Sequence, residues 1–172
     1  DIAKSESIKS AFTKAIADFG QVDCLVNCAG IFGYKDLFGY DEKTMDEIIS
    51  INEKGTYSTT KYILEFLKTG SIVHIASTAG QIGGSSDPIY AATKGAVIAF
   101  AKSMARALAP NIRVNCVAPG VTETHMVRRH DPEKIQGLVN NTLLKRLGQP
   151  EEIANAIYFL ASDQASFITG AT

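Results

Sequence analysis

Gly70-Ser-Ile-Val-His-Ile-Ala-Ser77-Thr-Ala-Gly80, followed after a glycine- and serine-rich turn by Asp87-Pro-Ile-Tyr90-Ala-Ala-Thr-Lys94-Gly95, is the stretch on which the fold turns. Residues 71 to 76 are short, apolar and β-branched, the pattern of a buried strand. Asp87 and Pro88 signal a helix start, an N-cap acid before a proline whose missing N–H costs nothing in the first turn. Working outward, residues 3 to 19 place Ile8, Ala11, Phe12, Ala15, Ile16 and Phe19 at helical spacing, and 22 to 27 read as an apolar strand. Further helices are expected over 41 to 67, interrupted at Gly55, over 88 to 109 and over 150 to 161, with a strand at 112 to 118. Buried strands alternating with helices mean an α/β fold, a doubly wound parallel sheet flanked by helices with right-handed crossovers. Ligands of such sheets bind beyond the carboxyl ends of the strands. Asn27 to Gly30, Ser77 and Pro119 to Thr124 all fall there.

The same stretch carries chemistry. Tyr90 and Lys94 are four residues apart, on one face of a helix. A free phenol titrates near pH 10 and is a poor base at neutral pH unless its phenolate is stabilised. A unit charge about 4 Å away at an effective dielectric near 20 is worth roughly 4 kcal/mol, about three pKa units before desolvation opposes it. Lys94 is therefore expected to lower the Tyr90 pKa. Ser77, leaving the carboxyl end of its strand, is placed to hydrogen-bond a substrate oxygen. The three residues together form a proton-transfer centre.

In order along the chain, Asp23-Cys-Leu-Val-Asn-Cys-Ala-Gly30, Asn52, Ser77, Tyr90-x-x-x-Lys94, Ile112-Arg-Val-Asn-Cys-Val-Ala-Pro119-Gly120-Val121-Thr-Glu-Thr124, Leu144-Lys-Arg146-Leu-Gly-Gln-Pro150-Glu-Glu152-Ile-Ala154 and Ser166-Phe-Ile-Thr169-Gly170 resemble the motifs of the short-chain dehydrogenase/reductases. The resemblance covers nearly the whole chain and implies a Rossmann-type fold and hydride transfer between a nicotinamide cofactor, NAD or NADP, and a carbonyl or secondary alcohol. It implies that Tyr90 exchanges a proton with the substrate oxygen, Ser77 orients that oxygen, Lys94 also binds the nicotinamide ribose, and Asn52 holds a proton-relay water. Cys28, Ala29, Gly30, Pro119, Gly120, Val121 and Thr124 are the implied cofactor contacts. Cys28 stands where the family pattern has a second asparagine, so only a main-chain contact is expected of it. Asp1-Ile2 aligns with the acid-apolar pair at the end of the family's third strand, where the acid contacts adenine.

The family's glycine-rich pyrophosphate turn is not found in these residues, so the Rossmann-type domain, 1 to 172, is expected to be incomplete at both its N-terminal and C-terminal ends. Gly80-Gln-Ile-Gly83-Gly84 reads as a pocket-lining turn. Residues 122 to 147 resemble the family's substrate lid, with Glu123, His125, Met126, Arg128, Arg129 and His130 ahead of a weakly amphipathic helix. Phe32, Gln81 and Ile82 could line the opposite wall, and Ser77, Gln81, Tyr90 and Met126 are the expected substrate contacts. The likeness is strongest to 3-oxoacyl-carrier-protein reductases and to sugar and secondary-alcohol dehydrogenases, and it does not choose between NAD and NADP. A non-catalytic Rossmann-like subunit is the alternative of another class, although its usual mark, loss of the serine, tyrosine or lysine, is absent.

Composition agrees with an ordinary globular chain: 172 residues, 45% hydrophobic, 20% charged, net charge −1. That balance argues against nucleic-acid or anionic-membrane partners, and no apolar run reaches the roughly 20 residues needed to span a bilayer. Cys24, Cys28 and Cys116 read as reduced thiols of a cytoplasmic protein, and neither they nor His74, His125 and His130 have metal-site spacing. The helix from Tyr90 is rich in small residues, Ala91, Ala92, Gly95, Ala96, Ala99, Ala101 and Ala105, which with the family likeness points to a homotetramer or dimer.

Overall fold

In the computed structural model, which describes residues 1–84 and 87–172, three strands form a parallel sheet in the order β1 (Cys24–Asn27), β2 (Gly70–Ile75), β3 (Ile112–Val117). Val26 pairs with Val73 and Val73 with Asn115. The helices are α1 (Ser5–Phe19), α2 (Glu42–Ile48), α3 (Thr56–Ile63), α4 (Thr78–Ile82), α5 (Pro88–Leu108), α6 (His125–Arg128), α7 (Pro132–Asn141) and α8 (Pro150–Ala161). The expected parallel α/β architecture is therefore present.

The core lies where α3 and α5 meet the sheet. Ile72 and Val114 are fully buried, and Ile63, Leu67, Val97 and Ala101 are 1% exposed. Each such side chain contributes roughly 1.5–3 kcal/mol of burial. On the opposite face, Arg113 of β3 donates to the carbonyls of Leu160 at 2.9 Å and Ser162 at 3.0 Å, which ties the end of α8 to the sheet. Residues 169 to 171 run beside β3: Gly170 N–H donates to Val114 O and Cys116 N–H to Ala171 O.

Two expectations need correction. The helix expected over 41 to 67 is broken by a π-helical segment, Ile49–Gly55, that joins α2 to α3. Gly55, the last residue of that segment, has no room for a side chain because Ile2 lies against it: an added Cβ would sit 2.8 Å from Ile2 Cδ1. The turn expected after Ser77 begins instead as α4, with the Ser77 hydroxyl capping it by accepting from Ala79 N–H at 3.1 Å. The Ser85-Ser86 part of that turn lies outside the described residues. Gly80 explains how α4 fits: an added Cβ would be 2.5 Å from the Lys94 carbonyl carbon and 2.7 Å from Gly95 N. Only a glycine lets α4 cross α5 this closely, and the crossing brings Ser77 to Tyr90.

Candidate active site

β2 delivers Ser77 at its carboxyl end, and α5 delivers Tyr90 and Lys94 from its first two turns. Helix α5 starts where the sequence predicts because Asp87 Oδ1 accepts from Tyr90 N–H at 2.9 Å and Pro88 fills the first turn. Lys94 Nζ lies 5.7 Å from the Tyr90 ring centroid and donates to Ile75 O at 2.8 Å. An ammonium has three donors, so this bond leaves two available at the cleft. Lys94 is 4% exposed.

The expected depression of the Tyr90 pKa does not arise from these groups. Burial pushes the phenol up, the Ser77 hydroxyl pulls it back, and the Asp87 carboxylate pushes it up again. Lys94 is itself lowered by burial, against smaller raising effects from Cys116 and Cys28. The physical reason is that the ammonium binds the Ile75 carbonyl while the phenol sits in a low-dielectric pocket that disfavours its charged form. At neutral pH this centre holds a protonated phenol next to a serine hydroxyl, which is the state of a proton donor.

Asn52 is fully buried in the π-helical segment. Its Oδ1 accepts from Ile31 N–H at 2.7 Å, while Nδ2 donates to Ile31 O at 2.8 Å and Thr93 Oγ1 at 3.3 Å. The side chain thus fastens the segment after β1 to α5. Its own carbonyl accepts from the Thr56 hydroxyl at 2.8 Å.

The remaining residues singled out from the sequence divide into two groups. At the carboxyl edge of the sheet, Cys28 and Ala29 are exposed and Gly30 lies against two of the expected site residues: an added Cβ would be 3.2 Å from Asn52 Oδ1 and 3.3 Å from Lys94 Nζ. Across the cleft, Pro119 O accepts from Thr78 N–H at 3.0 Å, Gly120 is exposed, and Val121 O accepts from Gly148 N–H at 3.0 Å. Thr124 precedes α6 without a capping bond from its hydroxyl. Gln81 is exposed on α4, and the Met126 carbonyl accepts from the Tyr34 hydroxyl at 2.8 Å. Asp1 lies at the other end of the region: it is exposed, its carboxylate accepts from Ala3 N–H, and Ile2 rests on Gly55. The described residues contain no grouping of His, Cys, Asp and Glu fit for a metal ion.

Sequence reading alone misses an aromatic cluster beside the phenol. The Phe32 ring stands edge-on to Tyr90 and to Tyr34 at 4.8 Å each, and His130 lies 5.8 Å from Phe32 and 5.1 Å from Tyr34. Arg129 covers the Tyr34 face at 4.6 Å. Arg129 and His130, expected in the lid, are thus part of this wall. Phe32-Gly-Tyr34 carries no periodic signal, and only the fold brings it to Tyr90.

A family model described as enoyl-(acyl carrier protein) reductase matches residues 1–172. Among curated relatives, the 3-oxoacyl-acyl-carrier-protein reductase of Thermotoga maritima is 37% identical over 99% of this chain and 71% of its own length. That of Escherichia coli is 38% identical over 100% and 72%. Among solved structures, the ligand-free aldohexose dehydrogenase of Thermoplasma acidophilum superposes with a TM-score of 0.94 at 32% identity, covering 99% of this chain and 72% of that one. A short-chain dehydrogenase/reductase of Brucella melitensis, described as a glucose/ribitol dehydrogenase, gives 0.95 at 37%, covering 100% and 71%. With a sheet, a site and relatives that agree, the chain belongs to the short-chain dehydrogenase/reductase family and is an NAD(P)-dependent oxidoreductase.

Proposed function

We propose that the chain reduces the ketone of 3-oxoacyl thioesters, with Tyr90 as the proton donor. The observation that carries the substrate is the 37–38% identity to the 3-oxoacyl-acyl-carrier-protein reductases of Thermotoga maritima and Escherichia coli, and the place of the buried Tyr90 phenol beside Ser77 and Lys94 supports its role, because reduction of a carbonyl needs an acid at the developing alkoxide. Ser77 orients the carbonyl oxygen and Tyr90 gives it a proton as its charge develops, so that charge never accumulates. Lys94, with two ammonium donors free of Ile75, holds the ribose of the dinucleotide and returns a proton toward Tyr90. Asn52 keeps Ile31 and Thr93 in register and, in this reading, holds the water that passes the proton onward.

The nicotinamide dinucleotide, when bound, supplies the hydride. The residues present suit it: Gly30 opens space over Lys94, and Cys28 and Ala29 present exposed backbone at the sheet edge. Pro119, Gly120, Val121 and Thr124 form the facing wall, and Asp1 and Ile2 serve the adenine end. Residues 122 to 147 act as the lid, with Gln81 and Met126 at the substrate. Residues 1 to 172 act as one dinucleotide-binding unit. The exposed Ala92 and Ala99 of α5 support association through that helix into a homodimer or tetramer. The three free cysteines, together with described helices none of which is long and apolar enough to cross a membrane, support a cytoplasmic location.

A second reading, oxidation of an aldose or secondary alcohol, is favoured by the close superposition on the Thermoplasma acidophilum aldohexose dehydrogenase. Loss of NADH or NADPH absorbance with acetoacetyl thioesters, set against its gain with NAD or NADP plus aldohexoses, separates the two. Turnover of aldohexoses alone overturns the thioester reading, and turnover of neither supports a non-catalytic subunit.

A further inference from the structure

Asp87 does more than cap α5. It is 2% exposed, and donors from three segments converge on its carboxylate. Oδ1 accepts from Tyr90 N–H at 2.9 Å and from the Tyr40 hydroxyl, and Oδ2 accepts from Gly33 N–H at 2.8 Å. A carboxylate accepts at both oxygens and carries no proton to clash, whereas an amide makes one of the two positions a donor. Asparagine caps helices as well as aspartate does. Here it fails one partner in either orientation. With its oxygen toward Tyr90 and Tyr40, its NH2 faces the Gly33 N–H; turned over, the NH2 faces the Tyr90 N–H. The choice of acid over amide is therefore dictated by convergence of two backbone amides from different segments.

What Gly33 carries makes this consequential. Its neighbour Phe32 stands edge-on to the Tyr90 ring at 4.8 Å. The segment has little room to drift, since an added Cβ at Gly33 would lie 2.8 Å from Ile48 Cδ1 and would also meet the Tyr40 ring. One carboxylate thus holds both the start of the Tyr90 helix and the aromatic wall that the phenol faces.

We propose that Asp87 is a positioning residue that locks Phe32 to Tyr90, and thereby sets which carbonyl compounds reach the phenol. The inference rests on the reading of Tyr90 as proton donor. Releasing Gly33 lets the wall move while the helix keeps its cap. The ratio of activities on long and short substrates then changes, and cofactor affinity does not.

The test compares wild type, Asp87→Asn and Tyr40→Phe, using acetoacetyl and 3-oxodecanoyl thioesters of N-acetylcysteamine with NADPH or NADH. Expected for Asp87→Asn is a fall in kcat of about tenfold or more, the scale on which misplaced groups slow reactions. The long-to-short ratio of kcat/KM should shift at least threefold, cofactor KM should hold, and hydrogen exchange should quicken over residues 31 to 36 but not over 97 to 108. A merely structural role lowers the melting temperature without moving the ratio. Should Asp87→Asn fail to fold, Asp87→Ser, whose hydroxyl can still cap α5 but offers Gly33 N–H no second acceptor, must shift the ratio in the same direction, whereas Tyr40→Phe, which leaves both the cap and the Gly33 bond in place, must not. An unchanged ratio with unchanged exchange over 31 to 36 overturns this inference alone, provided Tyr90→Phe abolishes turnover. Turnover that survives Tyr90→Phe, or a wild type inert toward both thioesters, removes the reading beneath it and the inference with it.

Discussion

His74 makes the stability of this fold depend on pH in a way that can be worked out from its surroundings. It is fully buried near the carboxyl end of β2. Its Nδ1 lies 3.1 Å from Asn27 Nδ2, an amide nitrogen that can only donate, so the neutral ring accepts there and carries its proton on Nε2. Asn27 is held in that orientation by Thr59, whose hydroxyl donates to Asn27 Oδ1 at 2.6 Å. Charging the ring would set a donor against a donor. Burial lowers the pKa from 6.5 to about 4. The unfolded chain therefore binds a proton near pH 6.5, and the folded chain only near pH 4. Stability falls with falling pH throughout that window, by about 1.4 kcal/mol per unit in its middle. Between pH 7.5 and 5 the loss from this one residue is about 2 kcal/mol. Carboxylates also titrate toward the lower end, so the test is a difference: urea unfolding of wild type and His74→Asn, each at pH 7.5 and 5. The wild type should lose about 2 kcal/mol more than the variant. Equal losses in the two proteins would refute the account of a neutral buried imidazole.

Other expectations concern the site. Cys28 is exposed at the sheet edge, whereas burial pushes the Cys116 thiol up to about 11. Alkylation at neutral pH should therefore modify Cys28 and spare Cys116, and saturating dinucleotide should slow the Cys28 reaction; mass spectrometry of tryptic peptides reads both, and undiminished labelling would move the cofactor away from this edge. Gly80→Ala places a Cβ among backbone atoms of Lys94 and Gly95 that cannot yield. It should cost about 1–3 kcal/mol in thermal unfolding, the usual range for overpacking, and reduce kcat further by moving Ser77 from Tyr90.

The parallel sheet was legible because its strands are continuous apolar runs between turn signals, and α5 because Asp87-Pro88 announces its start. Ser77, Tyr90 and Lys94 were legible together because short-range spacing on one strand end and one helix suffices to bring them together. The π-helical segment was not, since helical spacing over 41 to 67 does not mark a wider turn, and the bonds of its Asn52 to Ile31 and Thr93 join residues distant in sequence. Nor was the Phe32, Tyr34 and His130 wall as a unit: Phe32 is expected at the pocket and His130 in the lid, but no periodic pattern joins residues 32 to 34 with residue 130. The effect of Lys94 was not legible for a related reason: spacing puts it beside Tyr90, but the fold binds its ammonium to the Ile75 carbonyl, and burial is the largest influence on the phenol.

Tyr90→Phe removes one oxygen and leaves the ring edge against Phe32. Stopped-flow measurement of NADPH or NADH oxidation with acetoacetyl thioester, at saturating cofactor, isolates the step in which that oxygen gives up its proton. The rate should fall by about 10²–10⁴-fold, the contribution of a positioned acid, with the cofactor dissociation constant unchanged. A variant within twofold of wild type would contradict the assignment of Tyr90 as proton donor.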